Sequence, residues 1–466
     1  MVIKFPKPSP LALIVAGAQF MELLDGTVIV TALPQMARDF HVTSTELSLG
    51  ITAYMLTAAC GIPISGWMAD RFGSRTVFCL AVGVFMLASV LCATSVGEGS
   101  FVIARILQGA AAGLMTPIGR LIVIRATEKK DLVNAIAIMV WPALLAPIIG
   151  PPIGGLITDL AGWRWIFLLN IPIGIFGLFF ALKILPEQKA EKRPFDSLGY
   201  IITIVALMLL LLGLDQISAG HSPGRAAFMI AVGLAVGYGA VSHMTRAAHP
   251  VIDLSAMKHQ TFAAANLAGS LARTAIAASP FLIPLLFQEA FGMTATAAGL
   301  FLLSYMLGNL FMKTATTPIL KRFGFRNVLV WNSLLSGSSI MALALIAPGM
   351  PFAAIAVMLF ISGASRSMEF TALFSLTFSD VPGEQRTGAN TLTALVQQLG
   401  FSLGVALGAA LLGASQAFRA APQLELADFR IAFVICGLIG LSAVWSFWRL
   451  PQDAGAEVSG HTPRVL

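Results

Sequence analysis

Glu22 and Asp25 stand three residues apart in the middle of a long apolar run, and Arg105 stands at a similar depth in another. An i, i+3 spacing puts the two carboxylates on one face of a helix. Removing a carboxylate from water favours its protonated form, a second carboxylate does the same, and a nearby guanidinium favours the ionised form. Such a pair can therefore load and release a proton near neutral pH. An ionisable group at the centre of a membrane helix costs about 2.5–3.5 kcal/mol or more, so it is retained for function or for pairing. These positions predict an Asp25–Arg105 pair, with Glu22 carrying the exchanged proton. A static salt bridge that only ties two helices together is the alternative.

A second constellation lies further along. Arg273 is central in its apolar run, Lys313 is in the inner half of the next, and Arg366 has Glu369 three residues on. Arg366 and Glu369 could simply neutralise each other. Arg273 has no acid within one turn of its own helix, and an unpaired arginine favours a carboxylate or phosphate held by two N–H groups. Tyr54, Trp141, Asn266, Gln288, Tyr305, Asn309, Gln397 and Gln398 could line a pocket, although hydrogen bonding between helices explains them equally well. Arg120 and Arg125, near the end of their run, can snorkel to a membrane surface. His243, His249 and His259 cluster near one loop without a ligand spacing, and no metal or cofactor is expected.

The elements that position these residues follow from composition. Of 466 residues, 57% are hydrophobic and 11% charged, against about 25% charged in soluble domains. Backbone groups in lipid must be satisfied within their own segment, so each long apolar run is read as a helix. Fourteen spans are predicted: 11–34, 46–68, 76–94, 100–122, 133–157, 163–184, 198–214, 226–245, 261–288, 295–317, 327–347, 352–378, 391–415 and 430–450. The fold class is thus all-α integral membrane. An even number of spans puts both termini on one side. Placing them in the cytoplasm puts most of the 29 Lys and Arg inside, including Arg71, Arg75, Lys129, Lys130, Lys192, Arg193, Lys321 and Arg322. Only Arg38, Arg164, Arg225, Arg419 and Arg430 fall outside. The net charge of +7 is therefore topological and does not indicate nucleic acid. Trp163, Trp165, Trp445 and Trp448 suit interface anchors. The basic N-terminal residues precede a run without a cleavage pattern, so it is read as a retained first helix. Cys60, Cys79, Cys92 and Cys436 lie inside spans without paired spacing, which suggests neither disulfides nor a metal site.

Asp70-Arg71-Phe72-Gly73-Ser74-Arg75 reappears 251 residues later as Lys321-Arg322-Phe323-Gly324-Phe325-Arg326. Spans one to six and nine to fourteen thus read as two copies of a six-helix unit, the parallel-repeat plan of secondary transporters. The predicted division is an N-terminal bundle at 1–185, a linker and inserted helix pair at 186–260, a C-terminal bundle at 261–450 and a cytoplasmic tail at 451–466.

Gly66-Trp67-Met68-Ala69-Asp70-Arg71-Phe72-Gly73-Ser74-Arg75 resembles the G-x-x-x-D-R-x-G-x-R loop of the major facilitator superfamily. Arg105-Ile106-Leu107-Gln108-Gly109 is similar to its R-x-x-Q-G pattern, and Gly150-Pro151-Pro152-Ile153-Gly154-Gly155 to the G-P-x-x-G-G motif of its antiporters. Leu24 to Pro34 and Gly162 to Phe167 resemble signatures of the fourteen-span drug:proton antiporter branch. The chain departs from the antiporter motif at Ala137 and Ala146, and from the loop motif at Lys321. The resemblance implies two six-helix bundles plus an inserted pair, with Glu22, Asp25, Arg105, Arg273, Arg366 and Glu369 around one cavity. It implies a monomeric inner-membrane antiporter, not an enzyme, that exchanges protons for small organic compounds by alternating access. No Gly-Lys dipeptide is present to form a phosphate loop, which argues against direct ATP coupling. Organic anions or anionic metal chelates are the alternative substrates, and a channel or a transport-dead sensor is the alternative class. For gating, Gly66 and Gly73 are expected to let helices two and three approach, and Asp70 to form a charge cluster with Arg71 and Arg75. Gly150, Pro151, Gly154 and Gly155 are expected to bend helix five and let it pack closely.

Overall fold

The computed structural model describes residues 10–128, 131–189, 194–218, 222–248, 250–421 and 423–461; side chains at 132–134, 137, 140–144 and 387 are outside that description. Trp141, Ala137, Lys129, Lys130, Lys192, Arg193 and His249 therefore lie outside the described side chains or residues. All the regular structure among the described residues is helical. In the first half, α1 (Pro10–Phe40), α2 (Ser44–Phe72), α3 (Ser74–Ala93), α4 (Glu98–Ala126) and α5 (Leu132–Ala161) precede a span broken into α6 (Arg164–Leu168) and α7 (Asn170–Ile184). Then come α8 (Ser197–Ser218) and α9 (Pro223–Met244). The second half comprises α10 (Gln260–Leu285), α11 (Ala295–Ala342), α12 (Phe352–Thr377), α13 (Arg386–Arg419) and α14 (Leu426–Trp448), with a short α15 (Ala456–Ser459). Among the described residues, twelve helices are by themselves long and apolar enough to cross a membrane. Two further spans complete the fourteen: α11 covers two, divided at Gly324, whose φ of 73° no helix interior adopts, and α5 supplies the other. The helices outrun the predicted spans because the connecting turns are themselves largely helical.

Within the first half α1 packs on α5 and α2 on α4; within the second, α10 packs on α13 and α11 on both α12 and α14. The inserted α8 and α9 pack on each other, and α8 leans on α2 and α13. Asp196, just before α8, fastens this pair by accepting from Gly199 N–H, Val251 N–H and His243 Nε2, the last at 2.9 Å. Partial burial works to raise its pKa, but these hydrogen bonds outweigh it and hold the carboxyl below the ordinary carboxylate range.

The two halves meet unevenly. At one end they share a single apolar core that runs from Leu24, Val28 and Ile29 through Ile276, Phe281, Leu302 and Tyr305 to Leu359. Toward the Asp70 end, the described core divides into one part within the first half, including Met21, Tyr54 and Phe78, another within the second, including Phe325, Met368 and Leu373, and a third in which Ala59 of α2 still clusters with Leu392 and Leu395 of α13. Hydrogen bonds across the halves gather at the joined end and at mid-depth: Ser44 Oγ to Glu289 (2.7 Å), Gln288 Nε2 to Thr31 O (3.0 Å), Thr296 Oγ1 to Asp159 (2.5 Å) and Ser402 Oγ to Thr52 O (3.3 Å). The halves are thus joined throughout one end and, toward the other, along α2 and α13, with a cleft between their remaining helices.

Candidate functional site

In the first half the buried charges form one network. Asp25 and Arg105 are 1% and 0% exposed, and Arg105 Nη1 donates to Asp25 Oδ2 at 2.6 Å, the pairing that the sequence predicts. Gln108, one turn on from Arg105, accepts from Arg105 Nη1 (2.6 Å) and donates to Asp25 Oδ1 (3.0 Å) and Ser89 Oγ (2.9 Å). Asn170 Nδ2 also donates to Asp25 Oδ1, at 2.8 Å. It opens α7, where the span breaks two residues before Pro172, whose missing N–H cannot continue the preceding helix; sequence reasoning missed Asn170 although that proline was the available signal. Arg105 lies over the Tyr54 ring with 4.0 Å to the centroid. Asp25 is thereby used only as an acceptor, by three donors of which one is a cation.

Glu22 is different. It is half-buried and stands one turn from Asp25, between Met21 of the divided core and Leu24 of the shared one. Its Oε2 accepts from Thr116 Oγ1 at 2.5 Å, and Arg120 is within electrostatic reach. Glu22 thus stands at the apex of the cleft, with Asp25 sealed behind it.

In the second half, Arg366 and Glu369 do not neutralise each other. Glu369 is fully buried and accepts from Asn332 Nδ2 (2.6 Å) and Ser333 Oγ (2.9 Å) of α11. Arg366 is half-exposed; its guanidinium lies over the Tyr305 and Phe370 rings at 5.8 and 5.3 Å, and its buried Nη1 has no partner. Arg273, 2% exposed, donates from Nη1 to Ala265 O at 3.1 Å while its Nε has no partner. Asn266 is also enclosed and donates to Phe262 O. Arg273, Glu369 and Asn266 therefore lie inside the second bundle in this conformation, whereas Arg366 and Gln397 are half-exposed.

Both halves cross a glycine over a tyrosine carbonyl and bring an arginine to that ring, four residues before the glycine in the first half and three after it in the second. A methyl group on Gly109 would come within 2.3 Å of Tyr54 O, and one on Gly363 within 1.8 Å of Tyr305 O. Tyr54 and Tyr305 are themselves 251 residues apart, the spacing of the repeated loop. The same offset takes Glu22 to Arg273 and Asp25 to Ile276. The repeat thus keeps its backbone crossing while one acid gives way to an arginine and the other to an apolar residue.

A family model described as "Major Facilitator Superfamily" matches residues 15–269 and 262–464. The chain belongs to the major facilitator superfamily. It is a multi-pass membrane transporter, as its fold and that membership together require. It is 32% identical over 446 residues to "Probable transport protein HsrA" of Haemophilus influenzae, covering 96% of each chain. It is 34% identical over 452 residues to "Putative multidrug resistance protein MdtD" of Escherichia coli O6:H1, covering 96% of this chain and 95% of the relative. Among solved structures, "Crystal structure of D-xylose-proton symporter" aligns with a TM-score of 0.69 at 15% identity, over 96% of this chain and 98% of that one. "Inward open conformation of the xylose transporter XylE from E. coli" aligns with a TM-score of 0.62 at 13% identity, over 94% and 96%.

The superfamily's loop motif is built differently here from the expectation. Asp70 pairs with Arg125 at the end of α4 (2.9 Å) rather than with Arg71 or Arg75. Arg71 lies over the Trp67 and Phe72 rings, and Arg75 approaches Glu187 at 3.6 Å. The reason is directional: residues adjacent to Asp70 on one helix turn point elsewhere, while Arg125 arrives from a neighbouring helix. Gly66 meets nothing within 4 Å of a would-be Cβ, so it makes no close approach. Gly73 has φ 101° and seats Glu187 Oε1. The glycines of α5 do pack closely: Gly150 against Thr27, Gly154 against Val28 O, and Gly155 against Ala295 O of the opposite half. Pro151 O in turn abuts Gly299. Trp163 is a correction as well. It is 1% exposed, donating from Nε1 to Asp39 at 2.7 Å, whereas Trp165, Trp445 and Trp448 are exposed as membrane anchors should be.

Proposed function

We propose that this protein is a proton-coupled antiporter that exports small organic compounds across a bacterial inner membrane by alternating access, with both termini in the cytoplasm. The carrying observation is the contrast between two neighbouring carboxylates. Asp25 is closed off by Arg105, Gln108 and Asn170, whereas Glu22 is half-buried at the cleft apex with the Thr116 hydroxyl on it. Proton exchange needs a group that water can reach, so Glu22 carries the proton and the Asp25–Arg105 pair holds α1 against α4 beneath it. The units 1–185 and 261–450 rock about the seam made by α5 with α11 and α2 with α13, where the Gly155–Ala295 and Gly299–Pro151 contacts let backbones slide without side chains between them, while Gly150 and Gly154 seat α5 on α1. With the Asp70 loop cytoplasmic, as loop charge favours, the present conformation opens inward. The printed name of the Escherichia coli relative supports drugs or similar compounds as cargo.

The test is reconstitution into vesicles carrying a pH-sensitive dye. Substrate addition should move protons in wild type, and an uncoupler or Glu22→Gln should abolish substrate-driven movement. Transport that persists in both would overturn the coupling.

A further inference from the structure

At the cleft apex the two halves present opposite charge. On one side is Glu22, between Met21 and Leu24, where the shared core ends and the first-half core begins. On the other is Arg366, between Leu359 of the shared core and Met368 of the second-half core. Each thus stands where the shared core gives way to a separate one.

Arg366 is poorly provided for. Arg105, which reaches the equivalent tyrosine from a different position in the repeat, has Asp25 at 2.6 Å, although its Nη2 too is without a partner among the described residues. The residue that the repeat puts in place of Asp25 is Ile276, and the nearest acid along α12, Glu369, is turned to Asn332 and Ser333. Tyr305 and Phe370 give Arg366 ring faces and Tyr305 a hydroxyl, but buried Nη1 is left without a partner. Lys313 of α11 is within electrostatic reach and adds a like charge, and Arg273 stands in the same bundle with its Nε unpartnered. A buried unpaired guanidinium N–H is expensive, and a planar carboxylate would satisfy it with two parallel bonds.

We infer that Arg366 is an anion subsite facing Glu22, and that the transporter's preferred substrates are amphoteric: a carboxylate on Arg366 and a protonated amine on Glu22. This rests on the antiporter reading and deepens it. An ammonium arriving at Glu22 stabilises the ionised carboxylate and releases its proton, which is the exchange that antiport needs. A purely anionic substrate would instead favour keeping the proton. The carboxylate end supplies the counter-ion that Arg366 lacks, so both charges are neutralised in one step.

Binding can be measured on the purified full-length protein in nanodiscs with a series of ω-aminoalkanoates of increasing length. The methyl ester of each keeps only the amine charge, and the N-acetyl derivative keeps only the carboxylate. At least one free amino acid of the series should bind tenfold or more tighter than both of its derivatives. Arg366→Gln should erase the advantage of the acid over the ester, and Glu22→Gln the advantage of the amine over the N-acetyl compound. Arg366→Lys, which keeps the charge but not the two-pronged contact, should fall between and controls for folding. The inference is overturned if no member outbinds both derivatives, if none binds at all, or if the acid's advantage survives in Arg366→Gln. The assay uses no gradient. Amphoteric binding without proton movement in vesicles would therefore sink the coupling and leave the subsite standing.

Discussion

The polar interiors of the two halves start from the same scaffold and end in opposite conditions. In the first, an arginine over a tyrosine is paired with an aspartate that also takes hydrogen bonds from Gln108 and Asn170. In the second, an arginine over a tyrosine has no acid, and the nearby glutamate is held by neutral donors. A completed ion pair behaves as structure: breaking it leaves a buried charge. An incomplete one behaves as a site, because what it lacks can be brought by a ligand. The difference also divides labour within α1, where Asp25 belongs to the framework and Glu22 to the cleft.

The largest effect should come from the arginines. Arg105→Ala strands Asp25 without its counter-charge and should cost about 3–5 kcal/mol of stability, whereas Arg366→Ala breaks no ion pair and should cost under about 1 kcal/mol. Thermal unfolding in detergent measures both, and equal losses would break the comparison. Next come the glycines at the crossing. Gly363→Ala drives a methyl into Tyr305 O and should cost about 1–3 kcal/mol, while Gly66→Ala, with open space beside it, should stay within about 0.5 kcal/mol. Among the amides, Asn332→Ala removes one of the two donors to an unpaired buried glutamate and should cost about 2 kcal/mol. Asn170→Ala removes one donor from a carboxylate that keeps its arginine and should cost about half that. A reversed order would mean that Glu369 is the better provided of the two carboxylates. Smallest is Thr116→Val, which takes the hydroxyl from Glu22. It should leave stability nearly unchanged and shift the pH profile of transport in the vesicle assay, and an unaltered profile would detach Thr116 from the proton step.

Much of this was legible beforehand. Apolar runs long enough to span lipid force helices, so the spans, the repeated Arg-Phe-Gly-x-Arg loop and the inserted pair could be read from spacing. The Asp25–Arg105 pair was readable too, since two opposite charges at equal depth in neighbouring helices have few other partners. What escaped was direction. Spacing along α12 puts Arg366 and Glu369 within a turn, but not on which side each finds its partner, and Asn332 and Ser333 come from a helix that the sequence separates by more than thirty residues. Asp70 was given to its chain neighbours for the same reason. Trp163 carried the composition of an interface anchor while its indole N–H was bound to Asp39 inside the bundle. Periodicity reports depth well and azimuth poorly.

One arrangement recurs at the cleft end. After α7, Glu187 settles on Gly73 and bonds Thr76 at 2.6 Å, and Gln188 O accepts from Ser74 N–H. After α14, His461 settles on Gly324 and its Nδ1 meets Lys321 O, while Gly455 abuts Phe325. Each bundle is thus tied off by its own trailing segment. A gene cut between the codons for 189 and 194 should therefore yield two fragments that each insert and fold as complete subunits and reassemble by co-expression, whereas truncation just after Leu450 should leave the second bundle unfastened.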